Sequence, residues 1–298
     1  MHTPVLLQES LVGLAIKPQG IYVDLTFGGG GHARAILSQL AGGRLLAFDQ
    51  DQDAAHMASQ LESQSFTFIR ANARFMQRFL AFHGIREVDG ILADLGVSSH
   101  QLDTAARGFS TRSEATLDMR MDRASSLTAQ EVVNTYSLAQ LTHLLKTYGE
   151  VRPARALAQA IVDHRAHRPI NTTAELQSVL QRFSPPGRTA KYFAQIFQAF
   201  RIEVNDELGA LKAILEQSAQ LLKKGGRLAV IAYHSLEDRL AKHFINKGNF
   251  AGEEQKDVYG NLIRPLRPIY RKPISPSEEE VQANPRARSA KLRVGERL

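Results

Sequence analysis

Apolar runs alternate with helical patterns over the first hundred residues of the chain. Four of these runs predict buried strands, at Gly20–Phe27, Gly43–Asp51, Phe66–Ala73 and Val88–Ser99. After the first run, Ala33, Ile36 and Leu40 recur on one helical face. Strands that alternate with helices predict a parallel sheet with helices on both faces.

A different pattern occupies residues 104–206, where helical spacing replaces the strand-like runs. Thr172 with Glu175 predicts a capping box at the start of one of these helices. Leu208, Leu211, Leu215 and Leu222 then predict an amphipathic helix that returns to the sheet. The later part of the chain holds a strong strand at 222–235, and its tail from residue 248 predicts ordered loops with at most a short strand near 289–297.

These patterns predict a Rossmann-like α/β sheet with an inserted all-helical domain. We place the first part of the sheet domain at 1–103 and the helical insertion, which we expect to recognise the substrate, at 104–206. The second part of the sheet domain, with a basic C-terminal tail, is placed at 207–298.

Positive charge is concentrated in two segments of a chain whose net charge is +7. Residues 143–192 hold eight Lys and Arg against three acids, and residues 264–298 hold nine against four. Each segment has an excess of +5, so the rest of the chain is slightly acidic. Two basic segments favour a polyanionic partner. Because Trp is absent and Phe outnumbers Tyr two to one, we expect any nucleic acid to be held through its backbone and a few bases.

Several classes of protein are disfavoured by the composition. No stretch of 18 apolar residues is present, and the first ten residues lack the layout of a signal peptide, which predicts a soluble protein without a membrane partner. Zero cysteines exclude disulfides and fit a reducing cytoplasm. The ten histidines form no HxxxH or HExxH pair, so we predict no metal site.

The segment Asp24–Ala33 places four consecutive glycines directly after a strand and an aspartate. Gly28, Gly30 and Ala33 satisfy a dinucleotide fingerprint, and Asp49 follows Gly28 at the spacing of a ribose-binding acid. Asp24 decides between ligands, because a carboxylate aimed at this loop would repel a pyrophosphate but suits an ammonium group. We therefore favour S-adenosylmethionine over a nicotinamide cofactor or an empty glycine turn, with Asp49 on the ribose.

Phe75 is placed against the adenine of the cofactor, although a core position is equally open. Asp94 ends the fourth strand, where a substrate group would meet the methyl group, and capping the next turn is its alternative role. His234 follows the later strand at the same edge of the sheet, either in the substrate pocket or as a structural histidine. We interpret Ser235 and Asp238 as a helix N-cap pair, not as part of a catalytic triad.

Eight motifs occur in the order and spacing of a known family. They are HTPVLLQES, DLTFGGGGHA, ILADLGVSSHQLD, RGFS, LDMRMD, FRIEVNDEL, HSLEDR and NPRARSAKLRVGER. With them the chain resembles the ribosomal RNA small subunit methyltransferase H family over nearly its whole length. Where many members have an arginine this chain has Gln195, and Tyr233 stands where many have phenylalanine.

The resemblance implies a class I methyltransferase sheet and methylation of N4 of a cytosine in the decoding region of 16S rRNA, with S-adenosylmethionine as cofactor. It places the cofactor contacts at Gly30, Gly31, His32, Asp49, Phe75, Asp94 and Gln101. It implies 16S rRNA, within the small ribosomal subunit, as the partner, and we leave a homodimer open.

We expect Asp94 to accept a hydrogen bond from the cytosine amino group, with His234 and Ser98 as second choices. The segment 107–122 mixes paired charges with apolar residues, and a salt-bridged loop with core methionines is its alternative interpretation. Our candidates for RNA contact are Arg107, Phe109, Arg152, Arg155, Arg286 and Arg288. Arg165, Arg168, Lys291 and Arg293 complete the two basic sets. A nicotinamide oxidoreductase and a non-catalytic RNA-binding assembly factor are the alternative functions.

Overall fold

The structure is a computed structural model that describes residues 4–298. The first two residues of the HTPVLLQES motif, His2 and Thr3, lie outside this range. The chain divides into two compact units: Met1–Gly96 with Leu208–Leu298, and Val97–Glu207. The second unit begins at Val97, shortly before the helical insertion placed at 104–206, and a role for it in substrate recognition stays a prediction.

The first unit contains one seven-stranded sheet. Its strands are β1 (Ile21–Asp24), β2 (Arg44–Asp49), β3 (Phe66–Arg70), β4 (Val88–Asp94), β5 (Leu222–Ala232), β6 (Leu266–Pro268) and β7 (Lys291–Arg297). Their order is β3-β2-β1-β4-β5-β7-β6. Strands β1 to β5 pair in parallel, whereas β7 is antiparallel to both β5 and β6. The predicted parallel α/β sheet is thereby confirmed.

Some of the helices belong to the same unit as this sheet, and the others form the second unit. They are α1 (Leu7–Leu14), α2 (Gly31–Leu37), α3 (Gln52–Ala58), α4 (Met76–Phe82), α5 (Ser99–Asp103), α6 (Ala129–Thr135), α7 (Leu138–Thr147), α8 (Ala154–Arg165), α9 (Thr173–Leu180), α10 (Thr189–Asn205), α11 (Glu207–Leu221), α12 (Ser235–Lys247) and α13 (Glu278–Ala283). Helices α5 to α10 belong to the second unit. Leu222, which we expected to continue the helix from Leu208, is the first residue of β5.

The sheet is buried on both faces, which explains why its strands are apolar runs and not alternating patterns. Val23, Phe48 and Val230 point into one hydrophobic core, which α11 and α12 also line. Leu45 and Leu92 point into the other core, which is shared with α1, α2 and the last part of the chain.

The second unit has a hydrophobic core of its own, formed by its helices and the segment 107–122. Met119 and Met121 of that segment are buried in this core, and Asp118 forms an ion pair with Arg120 at 2.8 Å. The interpretation of this segment as a salt-bridged loop with core methionines is therefore confirmed. The capping box predicted at the start of α9, from Thr172 to Glu175, is also present.

Candidate active site

The glycine loop joins β1 to α2 at the carboxyl end of the parallel strands. Gly28 and Gly30 have left-handed backbone conformations, with φ of 50° and 73°, which glycine adopts without a steric penalty. A Cβ on Gly30 would lie 2.6 Å from the Phe27 ring, whereas a Cβ on Gly29 would meet nothing within 4 Å. The loop therefore requires glycine at Gly30 and leaves open space over Gly29, where a ligand can reach the backbone.

Asp49, the last residue of β2, forms a hydrogen bond that connects β2 to the glycine loop. Its Oδ2 accepts the Gly28 N–H at 2.8 Å, and its Oδ1 accepts the Asp51 N–H at 2.9 Å. Burial raises the pKa of Asp49 to about 6, although both N–H groups lower it. Since a carboxylate oxygen accepts more than one hydrogen bond, Asp49 can hold the loop and still accept ribose hydroxyls.

Asp24, the last residue of β1, is fully buried. Its Oδ1 accepts the Thr26 N–H at 3.1 Å, whereas its Oδ2 has no hydrogen-bond partner within residues 4–298. Burial raises the pKa of Asp24 to about 6, while His32 and the Thr26 N–H lower it. A buried acceptor without a partner is rare in proteins and marks a place where a ligand can complete the bonding. The ammonium group of S-adenosylmethionine fits this requirement.

Asp94, the last residue of β4, carries a side chain that is 22% exposed. Its backbone N–H donates to Thr26 Oγ1 at 2.7 Å, and its Oδ1 accepts the Tyr233 hydroxyl at 2.8 Å. Burial raises the pKa of Asp94 to about 7, in spite of the Tyr233 hydrogen bond, which lowers it. Asp94 is therefore a carboxyl group that changes its charge near neutral pH.

His32 lies in the first turn of α2 and is 5% exposed. Its Nε2 is 3.2 Å from the Val5 carbonyl oxygen, which can only accept, so this nitrogen carries the proton of the neutral ring. Burial lowers the pKa of His32. Its Nδ1, 3.7 Å from Asp94 Oδ2, then presents a lone pair and not a positive charge. A cofactor contact at His32 stays a prediction.

Three other candidates for cofactor contact occupy different environments. Phe75 ends a short 3-10 turn after β3 and is 51% exposed, so its ring is available for stacking on a base. Pro4 packs so closely against Gly31 that a Cβ there would lie 2.2 Å from Pro4 Cγ, which leaves no room for a side chain. Gln101 is buried in the second unit, where it forms the capping box of α5 with Ser98. The contacts of all three with the cofactor stay predictions.

His234 caps α12, which corrects the prediction that Ser235 is the N-cap. The His234 Nδ1 accepts the Glu237 N–H at 3.4 Å, and its Nε2 lies 3.2 Å from Glu237 Oε1. Ser235 is instead the first residue of the helix. The Nδ1 contact gives His234 a structural role at the start of α12, whereas its buried Nε2 has no hydrogen-bond partner within residues 4–298. A place for His234 in the substrate pocket therefore stays a prediction, and Asp94 remains the first candidate for the acceptor.

Two of the predicted RNA contacts are buried, which corrects that prediction. Arg107 is 2% exposed, and its guanidinium donates to the carbonyl oxygens of Arg120 and Met121 at 3.0 Å. Phe109 is 7% exposed, and its ring centre lies 5.8 Å from Arg107 Cζ. Both side chains belong to the interior of the second unit.

Four other candidates for RNA contact are exposed. Arg155 lies in the first turn of α8 and Arg152 just before that helix, whereas Arg286 and Arg288 lie on the 3-10 turn at Pro285–Ser289. Their contact with RNA stays a prediction.

Four further basic candidates make contacts within the protein that can be named. Arg165 donates to the carbonyl oxygens of Val133 and Tyr136. Arg168 pairs with Glu175 at 3.0 Å. Lys291 and Arg293 both pair with Asp238.

Sequence reasoning missed Tyr233 and Thr26, the two partners of Asp94. A signal for Tyr233 was present, because it directly follows β5, and β5 is the parallel neighbour of β4. Side chains that follow neighbouring parallel strands meet at one edge of the sheet.

The sheet order with its antiparallel β7, the glycine loop after β1, and the acids at the ends of β1, β2 and β4 define a class I methyltransferase. S-adenosylmethionine is its cofactor. The chain belongs to the MraW methylase family, whose sequence model matches residues 1–298. The predicted family and cofactor are thereby confirmed, and the nicotinamide alternative is wrong.

Related proteins match over almost the whole chain. A protein from Amoebophilus asiaticus (strain 5a2) is 64% identical over 296 residues, which cover 99% of this chain and 96% of the relative. One from Cytophaga hutchinsonii is 56% identical over 296 residues, which cover 99% of each chain. Both are named ribosomal RNA small subunit methyltransferase H. Among solved structures, an rRNA methylase from Streptococcus thermophilus has a TM-score of 0.42 and 14% identity, covering 100% of this chain and 99% of that one, too distant a likeness to transfer details.

Within residues 4–298, none of the helices combines the length and the apolar character that crossing a membrane requires.

Proposed function

We propose that this methyltransferase transfers a methyl group from S-adenosylmethionine to N4 of a cytosine in the decoding region of 16S rRNA, within the small ribosomal subunit and in the cytoplasm. The names of the relatives support rRNA of the small subunit as the substrate. The observation that carries the chemistry is Asp94, a partly exposed carboxyl group at the end of β4 that titrates near neutral pH. The cytosine position and the decoding region come from the resemblance of the motifs.

The cofactor is bound by the carboxyl ends of β1, β2 and β3 in this proposal. Asp24 Oδ2 would accept a hydrogen bond from the ammonium group, and the loop from Gly28 to Gly31 would hold the methionine part. Asp49 would accept hydrogen bonds from the ribose hydroxyls, and the exposed ring of Phe75 would stack on the adenine. The unpartnered Oδ2 of Asp24 supports this arrangement, because it lacks the hydrogen bond that the ammonium would donate.

Asp94 compensates for the weak nucleophilicity of the cytosine amino group. The N4 lone pair is delocalised into the ring, and a hydrogen bond from N4–H to the Asp94 carboxylate localises it on the nitrogen. When bound, S-adenosylmethionine would supply a methyl group that is already activated by the positive charge on sulfur. The bond from sulfur to the methyl group would break as the bond to N4 forms, leaving S-adenosylhomocysteine, and the proton lost from N4 would pass to the Asp94 carboxylate and then to water. The protein therefore contributes alignment and one acceptor, and needs no strong base. With a pKa of about 7, Asp94 is ionised in a large part of the molecules at neutral pH.

The RNA is held through its phosphates by Arg152, Arg155, Arg286 and Arg288. A cytosine must leave its stack to reach the methyl group, which costs a few kcal/mol that backbone contacts offset. The exposure of these four arginines supports the assignment.

The test is methyl transfer from labelled S-adenosylmethionine to small subunits isolated from a strain that lacks its own enzyme, followed by nucleoside analysis. Naked 16S rRNA serves as the second substrate, and the Asp94→Asn variant as the control. We expect label in N4-methylcytidine with the subunit and little with the variant. Label in another nucleoside would refute the proposed substrate atom. Binding of the small subunit without any methyl transfer would instead support the alternative of a non-catalytic assembly factor. The molecular mass measured in solution would show separately whether the protein forms a homodimer.

A further inference from the structure

Tyr233 is placed next to Asp94 by the pairing of β4 with β5. Asp94 is the register partner of Ile231, and the Leu95 N–H donates to the Ile231 carbonyl oxygen at 2.9 Å. Tyr233 lies two residues beyond Ile231, just after β5 ends. Its backbone N–H donates to Glu237 Oε2 at 2.9 Å, which fixes the chain at this point. The hydroxyl of Tyr233 therefore reaches Asp94 from a defined backbone position.

The direction of the hydrogen bond between the two side chains follows from their ionisation. Burial and the neighbouring Asp94 raise the pKa of Tyr233 far above its usual value, so the phenol keeps its proton. The hydroxyl donates and Asp94 Oδ1 accepts, at 2.8 Å. This bond favours the carboxylate over the carboxylic acid, and it therefore lowers the pKa of Asp94.

The two oxygens of Asp94 are consequently not equivalent. Oδ1 is held by Tyr233, while the backbone of Asp94 is held by Thr26. Oδ2 lies 3.7 Å from the His32 Nδ1, which presents a lone pair and donates nothing to it. Within residues 4–298, Oδ2 therefore remains the oxygen that is available to an incoming N–H donor.

We propose that Tyr233 is a positioning residue for methyl transfer: its hydroxyl fixes the Asp94 carboxylate so that Oδ2 meets the amino group of the substrate. The inference rests on the proposed role of Asp94. Tyr233 does not touch the substrate in this scheme and acts through the orientation and charge of Asp94.

The other charged groups around Asp94 act against its ionisation. Glu237, after β5, raises the pKa of Asp94, and Asp24, at the end of β1, is a second neighbouring carboxyl group. His32, on α2, is neutral and offers no compensating charge. The hydrogen bond from the Tyr233 hydroxyl therefore counteracts the rise in the pKa of Asp94 that burial and Glu237 cause.

The test is the pH dependence of kcat for Tyr233→Phe, at saturating cofactor and RNA. Removing a hydrogen bond to a charged group is expected to move the acidic midpoint of kcat upward by about one pH unit from its wild-type position. About half a pH unit below the wild-type midpoint, this shift lowers the ionised fraction of Asp94 about eightfold, and about two units above it the fraction changes by only about a tenth. We expect the KM for RNA to stay within about twofold, since Tyr233 makes no substrate contact.

Tyr136→Phe is a matched control, because the Tyr136 hydroxyl also donates to a carboxylate, Glu203 Oε1, at 2.8 Å. This pair lies within the second unit, so its loss should leave the midpoint of the kcat profile unchanged. If Tyr136→Phe shifts the midpoint equally, the effect is not specific to Asp94 and the proposal is wrong.

A second measurement avoids the reaction altogether. The Asp94 carboxyl carbon is titrated by NMR in free protein labelled at aspartate Cγ, and its signal is assigned by its loss in Asp94→Asn. Tyr233→Phe should move this titration upward by about one pH unit. An unchanged titration and an unchanged kcat midpoint overturn the inference. Full activity of Asp94→Asn refutes instead the acceptor role of Asp94, while the NMR titration still reports the Tyr233 contact.

Discussion

Acidification from pH 8 to pH 5 should weaken cofactor binding, because the buried Asp24 then loses the charge that attracts the ammonium group. Burial raises the pKa of Asp24 to about 6 in the free protein. A bound cation favours the carboxylate and lowers this pKa, so binding below pH 6 must release a proton. Affinity should therefore rise with pH through 6 and become constant above about pH 7.

The size of the effect follows from the ionised fraction of the free protein. With a pKa of about 6, Asp24 is ionised in about a tenth of the molecules at pH 5 and in nearly all at pH 8. Asp24 alone therefore predicts a loss of affinity of about tenfold. Asp49, whose pKa burial also raises to about 6, adds up to another factor of about ten if the ribose hydroxyls require its charged form.

Calorimetry with S-adenosylhomocysteine measures this affinity without methyl transfer, since that product keeps the ammonium group. Two buffers of different ionisation enthalpy count the released protons, and circular dichroism at each pH verifies the fold. Asp24→Asn should bind weakly at pH 8 and lose the share of the pH dependence that Asp24 contributes, about tenfold, so that at most the share of Asp49 remains. Equal affinity at pH 5 and pH 8 in the wild-type protein, or an undiminished pH dependence in Asp24→Asn, would refute the placement of the ammonium group.

Three further substitutions test the proposed site. Asp49→Ala should weaken cofactor binding by about 1–3 kcal/mol in calorimetry, because a charged hydrogen-bonding partner is lost; an unchanged affinity would remove Asp49 from the site. Asp94→Asn should lower kcat far more than RNA affinity, because its contact strengthens as the N4 lone pair localises; a wild-type rate would move the acceptor role to a backbone carbonyl. Reversal of Arg286 and Arg288 to Glu should weaken RNA binding and flatten its salt dependence, with cofactor affinity within about twofold. An unchanged salt slope with lost cofactor binding would mean that the tail closes the cofactor pocket.

The main strands were predictable because their signals are local. A strand that is buried on both faces is a short apolar run, and β1, β2, β4 and β5 all show one. The positions of Asp24, Asp49 and Asp94 follow from the ends of such runs. The strand β6 has only three residues, one of them Pro268, and it exists through its pairing with β7. No local pattern marks it.

The environment of the charged side chains was not predictable in the same way. Arg107 looks like a surface residue in the sequence, yet it is buried with its guanidinium donating hydrogen bonds to the carbonyl oxygens of Arg120 and Met121. The choice between His234 and Ser235 as the N-cap also depends on tertiary structure, because β5 fixes where the chain enters α12. The pairing of Asp94 with Tyr233 joins residues 139 positions apart, which local periodicity does not report.

The position of β7 within the sheet affects how the protein can fold during its synthesis. β7 lies between β5 and β6, yet it follows both of them in chain order. While the chain leaves the ribosome, the edge of β5 beside Leu228 and Val230 has no partner, and β6 has nothing to pair with until β7 has been made. Unpaired edges of this kind recruit other chains. The nascent protein is therefore prone to aggregation until β7 has been synthesised and has paired with β5 and β6.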